Sequence, residues 1–289
     1  MRGRGGLLAI AAVLLLAGIG IAWLGGGSSG QVHRTTHRTT TTASPGLVTL
    51  HVIFPEGFTR ADMANRIGAV RAIAIKRRHV RPRLTASGYL AASVAAKAPP
   101  GFKRNPGSRS LEGFLFPATY DFTQATTARE LVADQVAAFR KAFSTVNLRY
   151  ARSKNLTLYD VLTIASMIEK EAVVPAERRL IAAVIYNRLH AHMPLGIDAT
   201  IRYGLHIPGT ESLTKAALAS TSAYNTRRFR GLPPTPIANP GLPSIRAAAH
   251  PAHVDYLYFV RKPDKRHHFF TASGAEFLRK ACEYGFGCS

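Results

Sequence analysis

The stretch SMIEKEAVVPAERRLIAAVIYNRL, residues 166–189, joins the end of one predicted helix to the beginning of another. Thr157, with Asp160 three residues later, forms a capping-box pattern, so we expect the first helix to begin there. Pro175 is well placed to open the second helix, which the apolar pattern extends over residues 176–190. The apolar stripe of the first helix consists of Leu158, Val161, Ala165, Ile168 and Ala172.

Glu169 and Glu171 end the first helix in a chain that has 38 Lys plus Arg but only 16 Asp plus Glu. At 100° per residue they lie roughly 200° apart around the helix axis, so Glu169 borders the apolar stripe and Glu171 lies on the opposite flank. A helix-end carboxyl beside apolar residues is a candidate general acid, because desolvation raises its pKa. The alternative is a solvated or ion-paired glutamate, with Lys170 or Arg178 as partner. The pattern alone does not choose between these roles.

The chain as a whole is strongly basic and long enough to bury a core. It has 289 residues, is 46% hydrophobic and carries a formal charge of +22. Such a charge favours a polyanionic neighbour, which is nucleic acid, anionic lipid or an anionic cell envelope.

The N-terminus selects among these neighbours. Arg2 and Arg4 precede an uncharged apolar stretch at residues 7–24, which at about 1.5 Å per residue nearly spans a hydrocarbon core. Basic flanks stay in the cytoplasm, so we expect residues 1–6 inside, a single membrane-spanning helix and an exported body. A cleaved signal peptide is the alternative. An exported body excludes intracellular nucleic acid, and the basic charge then predicts residence near membrane or wall polyanions.

The rest of the chain predicts an α+β fold. The segments are, in order, a flexible Gly/Ser/Thr tether at 25–47, a small α/β subdomain at 48–100 and a mostly helical catalytic domain at 101–289. Within the subdomain, alternating apolar residues at 48–54 predict a strand, followed by a helix after Thr59 and another over residues 87–97. The larger domain has long Pro/Gly loops, a small β-hairpin around Pro263-Asp264 and a short closing helix.

Other catalytic or metal-binding patterns are weak. The sequence contains no G-x-S-x-G elbow and no H-E-x-x-H pair. Four C-terminal histidines match no metal-site spacing, and we expect surface or wall-facing roles for them: His250, His253, His267 and His268. Cys282 and Cys288 are equally compatible with a disulfide in an exported protein and with free thiols. We therefore expect no metal site.

Five separated segments resemble one family, the MltG-type (YceG-like) endolytic murein transglycosylases. Besides residues 166–189, they are LEGFLFPATY (111–120), LGIDATIRYG (195–204), TSAYNTRRFRGLPPTPIANPGLPSIRAAAHPAHVDYLYFV (221–260) and HHFFT (267–271). The resemblance implies a single-pass protein of the cytoplasmic membrane that needs no cofactor. Its substrate would be nascent peptidoglycan glycan strands, cut between MurNAc and GlcNAc with formation of a 1,6-anhydro end. It also implies that the 48–100 subdomain is LysM-like, and it leaves peptidoglycan synthases open as further partners.

The same resemblance assigns roles to individual residues. In the family's E-K-E motif the second glutamate is catalytic, which makes Glu171 the acid/base and Glu169 a supporting residue. Matched positions imply substrate binding by Asp198, Tyr224 and Asn225, with loop-fixing hydrogen bonds as the open alternative. Three further residues match supporting positions: Glu177, Asn187 and His250.

Two rival functions remain at this stage. A hydrolytic muramidase would cut the same strands but leave a reducing end. A non-enzymatic, wall-binding scaffold of the synthesis machinery would use the basic surface and would not need Glu171.

Overall fold

The computed structural model describes residues 48–102 and 110–286, which belong to one compact unit. The four strands found among them are β1 (Leu50–Ile53), β2 (Thr119–Phe122), β3 (Tyr258–Arg261) and β4 (His268–Thr271). The larger helices are α1 (Arg60–Arg78), α2 (Ala86–Ala95), α3 (Ala128–Ser144), α5 (Leu158–Glu171), α6 (Arg178–His190) and α10 (Gly274–Glu283). The shorter ones are α4 (Arg149–Ser153), α7 (Asp198–Leu205), α8 (Lys215–Leu218), α9 (Leu242–Ala249) and a 3-10 turn, Pro175–Glu177.

The predicted membrane span and tether lie outside the described residues. Within the described ranges, 48–102 and 110–286, no helix has the length and apolar character needed to cross a membrane. The overall mixture of helices with two small sheets agrees with the expected α+β class.

The first part of the described chain confirms the predicted strand and both helices. Leu50 and Val52 of β1 are buried while the residues between them are exposed, as the alternation predicted. Thr59 caps α1 and forms the full capping box with Asp62. β1 pairs antiparallel with β2, which lies beyond residue 100. The sheet of the predicted subdomain therefore takes its second strand from the segment assigned to the catalytic domain.

The core that positions the site is built around α5. Every residue of α5 from Tyr159 to Ile168 is buried except Asp160, and the helix packs against both α6 and α9. Thr157 caps α5 through the predicted capping box with Asp160. The 3-10 turn at Pro175 and the helix from Arg178 replace the single helix predicted over residues 176–190, because Pro175 begins a tighter turn before α6.

The segments predicted as long Pro/Gly loops contain three short helices, α7, α8 and α9. Single-sequence periodicity missed them because each is only four to eight residues long. The hairpin prediction is confirmed: β3 and β4 are antiparallel, with Arg261 opposite His268. The expectation that His268 faces outward is wrong, since it is 5% exposed. Its burial is tolerated because the ring nitrogen Nδ1 has a polar partner, the Glu177 carboxylate, at 2.7 Å.

Candidate active site

Glu171 is the last residue of α5 and is partly buried. The pKa of its carboxyl is raised from 4.5 to about 7, mainly by burial and to a smaller extent by the charge of nearby Asp198. Arg261, Arg227 and a hydrogen bond from the backbone N–H of Ala199 act in the opposite direction. Near neutral pH the group is thus divided between its acid and its carboxylate form, which suits a residue that both gives and accepts a proton.

The N-terminus of α7 lies beside this carboxyl. Ile197 is the N-cap residue of α7 and provides no side-chain cap, so the Glu171 carboxylate accepts an N–H group of the first turn instead. The backbone before α7 is held by Thr226, whose carbonyl accepts from Gly196 N and whose hydroxyl accepts from Ile197 N. The positive end of a helix stabilises a carboxylate. This arrangement therefore favours Glu171 after it has released its proton.

Asp198 lies at the first position of α7 and pairs with Arg227 at 2.7 Å. Both side chains are nearly half exposed, 46% for Asp198 and 47% for Arg227. The structure thus gathers the predicted Glu171 and Asp198 with two arginines that the sequence analysis did not select, Arg227 and Arg261.

Glu169 lies on the other flank of α5, as the helical periodicity predicted. Its carboxylate accepts the backbone N–H of Gly241 at 3.0 Å and pairs with Arg178 at 3.6 Å, where only 6% of its side chain is exposed. Gly241 is the N-cap residue of α9. Glu169 therefore joins α5 to α9 and does not share a surface with Glu171.

Tyr224 and Asn225 lie on the loop before α9, with different surroundings. The Tyr224 ring packs against Tyr203 with centroids 5.2 Å apart, and its hydroxyl is 2.8 Å from that of Thr235. Asn225 is fully buried, and its amide nitrogen donates to the carbonyls of Leu218 and Ser220. Its amide oxygen accepts from Arg227 N. These bonds hold the loop in shape, while Tyr224 is only partly buried.

The three further residues predicted as supporting bond to other parts of the chain or end a helix. Glu177 binds the backbone and the ring of His268 and so anchors the hairpin to the beginning of α6. Asn187 donates to the carbonyls of Val254 and Tyr256 and ties α6 to the segment before the hairpin. His250 is the C-cap residue of α9.

Comparison with known proteins agrees with this architecture. The model of the YceG-like family matches residues 31–283. The chain belongs to the YceG-like family. A crystal structure of a YceG-like protein from Listeria monocytogenes covers 80% of this chain and 75% of that chain, with a TM-score of 0.66 and 28% identity.

Curated relatives of this YceG-like chain are named endolytic murein transglycosylases. One from Streptococcus pneumoniae R6 is 34% identical over 259 residues, 83% of this chain and 45% of the relative. One from Bacillus subtilis 168 is 40% identical over 152 residues, 53% of this chain and 42% of the relative. The chain thus spans less than half the length of these relatives.

Sequence reasoning also missed a second buried carboxyl of this YceG-like chain, Glu112. It is 4% exposed and accepts hydrogen bonds from Arg60 N, the Asn239 amide and the Tyr203 hydroxyl. Burial raises its pKa to about 7. The available signal was an acid within the apolar segment LEGFLFP. Because Tyr203 packs on Tyr224, Glu112 links α1 to the aromatic pair near the site.

Glu171 lines neither of two open cavities that lie among the described residues. The larger, about 740 Å³, lies beside the beginning of α6, and the smaller, about 550 Å³, includes Asn187. Over residues 48–102 and 110–286, no group of three or more His, Cys, Asp or Glu side chains is arranged to hold a metal ion.

Proposed function

We propose that this YceG-like chain is an endolytic lytic transglycosylase of peptidoglycan and that Glu171 is its single acid/base. The observation that carries the proposal is the partly buried Glu171 carboxyl, whose pKa burial raises to about 7. A carboxyl with this pKa is protonated in a large fraction of molecules at neutral pH, yet becomes a competent base once it has lost its proton. The names of the relatives support the same activity.

In the first half-reaction, protonated Glu171 gives its proton to the glycosidic oxygen between MurNAc and GlcNAc. The bond from C1 of MurNAc to that oxygen breaks, and positive charge builds on the MurNAc ring. The Glu171 carboxylate that remains is stabilised by the Ala199 N–H group and the field of Arg261.

In the second half-reaction, this carboxylate takes the proton of the 6-hydroxyl of the same MurNAc. The 6-oxygen bonds to C1 and closes a 1,6-anhydro ring, and Glu171 is protonated again. The oxygen that Glu171 protonates leaves as a hydroxyl of GlcNAc, and the proton that Glu171 regains comes from MurNAc. The protons and bonds therefore balance between the two sugars and one carboxyl, and the step needs no water, cofactor or second carboxylate nucleophile.

We place Asp198 and Tyr224 in the glycan groove. Both are partly exposed, and Asp198 contributes to the field at Glu171. The buried amide of Asn225 suits the loop-fixing alternative, in which it holds the loop that presents Tyr224. An apolar ring beside hydroxyl and carboxylate groups matches the mixed apolar and polar surface of an amino sugar.

The test is digestion of purified glycan strands by the full-length chain, with mass spectrometry of the released ends. The wild type should release 1,6-anhydro-MurNAc ends. Glu171→Gln should lose about 10²- to 10⁴-fold in rate, because one group serves both half-reactions. Glu211→Gln, which removes an exposed acid, is the matched control and should not change the rate.

Two other results would each replace this proposal. Reducing MurNAc ends in place of anhydro ends would make the protein a hydrolytic muramidase. Full release by Glu171→Gln, or no release by the wild type, would return the function to a wall-binding scaffold.

The location belongs to the same proposal. The apolar stretch at residues 7–24 would anchor the chain in the cytoplasmic membrane with its N-terminus inside, next to nascent strands and their synthases. The LysM-like assignment of residues 48–100 rests on the sequence resemblance. N-terminal sequencing of the membrane-bound protein checks the anchor, and a mature chain that starts within residues 25–47 would contradict it.

A further inference from the structure

The larger cavity, about 740 Å³, combines a basic rim with an apolar wall. Its lining includes Arg178, Arg179, Arg246 and His250, with Val146 and Pro243 on the apolar side. None of the described residues that line it is acidic. Lining of this kind attracts an anion, and the apolar wall accommodates carbon attached to that anion.

Two of the arginines are held in place by bonds that leave donors unused. Arg179 donates to the backbone carbonyls of His250 and Pro251, at 3.0 and 3.3 Å. Arg178 donates to the Ser244 hydroxyl at 3.1 Å and pairs with Glu169, which does not line the cavity. A guanidinium has five N–H donors, so both arginines keep donors for a ligand. Because the protein already orients these side chains, ligand binding does not bear the entropy cost of ordering them.

Within the described part of the chain, the protein balances the positive charge of this cavity only at Arg178, which pairs with Glu169 and also interacts electrostatically with the Glu56 carboxyl. Residues 48–102 and 110–286 form several ion pairs, and of the cavity's lining residues only Arg178 takes part in one, with Glu169. Arg246 is exposed on α9 and takes part in none of them. Arg178 and Arg179 are the first two residues of α6, directly after the 3-10 turn that Pro175 opens, and the helix dipole adds positive potential there.

The cavity is separate from Glu171, which is not among its lining residues. Glu169, which pairs with Arg178, and Glu171 lie on opposite flanks of α5, roughly 200° apart around its axis. A ligand in the cavity therefore does not contact the Glu171 carboxyl.

We propose that this cavity is a phosphate-binding site. A phosphate group offers several strong acceptor oxygens and up to two negative charges, so it can engage Arg178, Arg179 and Arg246 together. A single carboxylate has two oxygens and one charge and leaves part of this donor set unused. In an exported protein, the phosphate can belong to a lipid headgroup, whose acyl carbon would lie on the Val146–Pro243 wall, or to free or polymer-bound phosphate.

The test is calorimetric titration of the detergent-solubilised full-length chain at physiological ionic strength, with inorganic phosphate as the first probe. Arg246→Gln removes an exposed lining charge and should weaken phosphate binding about tenfold or more. Arg81→Gln removes an equal charge from an exposed position outside the cavity and should bind like the wild type. Glu171→Gln should also bind normally, which separates this site from the catalytic proposal.

A second probe, soluble dioctanoyl phosphatidic acid, distinguishes the two sources of the phosphate group, a lipid headgroup and free or polymer-bound phosphate. Tighter binding than inorganic phosphate, lost in Arg246→Gln, assigns the site to a lipid headgroup. Equal affinity for both probes assigns it to free or polymer-bound phosphate. The proposal is overturned if the wild type shows no saturable phosphate binding, if Arg246→Gln and Arg81→Gln weaken it equally, or if D-glutamate binds more tightly than phosphate.

Discussion

Glu169 and Glu171 are separated by one residue in the sequence but meet different parts of the protein. Glu169 caps the beginning of α9 and pairs with Arg178, whereas Glu171 faces the beginning of α7. Glu169 therefore holds two helices together, whereas Glu171 has a raised pKa and can exchange a proton near neutral pH. The difference comes from which helix N-terminus each carboxyl reaches.

We predict that Glu169→Gln lowers stability without abolishing catalysis. The glutamine oxygen can still accept the Gly241 N–H group, but the charge that pairs with Arg178 is lost, which we expect to cost about 1–3 kcal/mol. Urea unfolding and glycan release measured on the same preparation check this. Loss of release comparable to that of Glu171→Gln would contradict the assignment.

The raised pKa of Glu171 predicts two pH effects. Its folded value, about 7, exceeds the unfolded value of 4.5, so the native state binds more protons between them and loses stability as pH rises through this window. Glu171→Gln removes that loss. The variant should melt at a higher temperature than the wild type at pH 8, and this advantage should disappear at pH 4.

Like stability, activity should fall as pH rises, because Glu171 loses its proton. Since the proposed first half-reaction requires protonated Glu171, kcat/KM should fall about tenfold per pH unit at pH values well above 7. A pH–rate profile of glycan release, with the stability of the wild type verified at each pH, measures this limb. A rate that stays constant up to pH 9 would contradict Glu171 as the proton donor.

The hairpin is held to the helical core by the Glu177–His268 pair, whose side chains are 10% and 1% exposed. His268 pairs across the hairpin with Arg261, whose charge acts on Glu171. This buried pair at the beginning of α6 thus fixes the strand that carries a site arginine.

We predict that Glu177→Ala destabilises the protein by about 3–5 kcal/mol, because it leaves His268 buried without its partner. Glu283→Ala, which breaks an exposed pair with Lys280, should cost at most about 1 kcal/mol. Denaturant unfolding compares the two variants. Equal, small losses would mean that the hairpin is held by other contacts.

Glu112 connects separate elements in a similar way, since its carboxyl accepts hydrogen bonds from α1, from α7 and from the Asn239 segment. In Glu112→Gln the new amide would place its own N–H groups against these donors. We expect a loss of about 1–3 kcal/mol, measured by urea unfolding. Unchanged stability would mean that Glu112 is already protonated and bonded differently.

The net charge of +22 is a property of the whole chain. It predicts that sedimentation with cell-wall material weakens steeply as salt rises, because exposed charges are screened over roughly 8 Å at physiological ionic strength. Wall material stripped of its anionic polymers serves as the control and should bind less at low salt. Salt-independent sedimentation would assign the basic charge another role.

Much of the local structure followed from the sequence. The capping boxes at Thr59 and Thr157, the alternation in β1 and the hairpin turn depend on neighbours within a few residues, so their patterns are readable along the chain. The E-K-E motif and the five segments that resemble the YceG-like family also nominated Glu171 without a structure.

Only the tertiary structure decided what surrounds those residues. Arg227 and Arg261 approach Glu171 from segments far along the chain, His268 is buried by Glu177, and the basic cavity combines side chains from α6 and α9. The short helices α7 and α9 have too few turns for a periodic signal and form because long-range packing supports them. Charge, burial and pKa at a site depend on distances between residues remote in sequence, which periodicity along one chain does not encode.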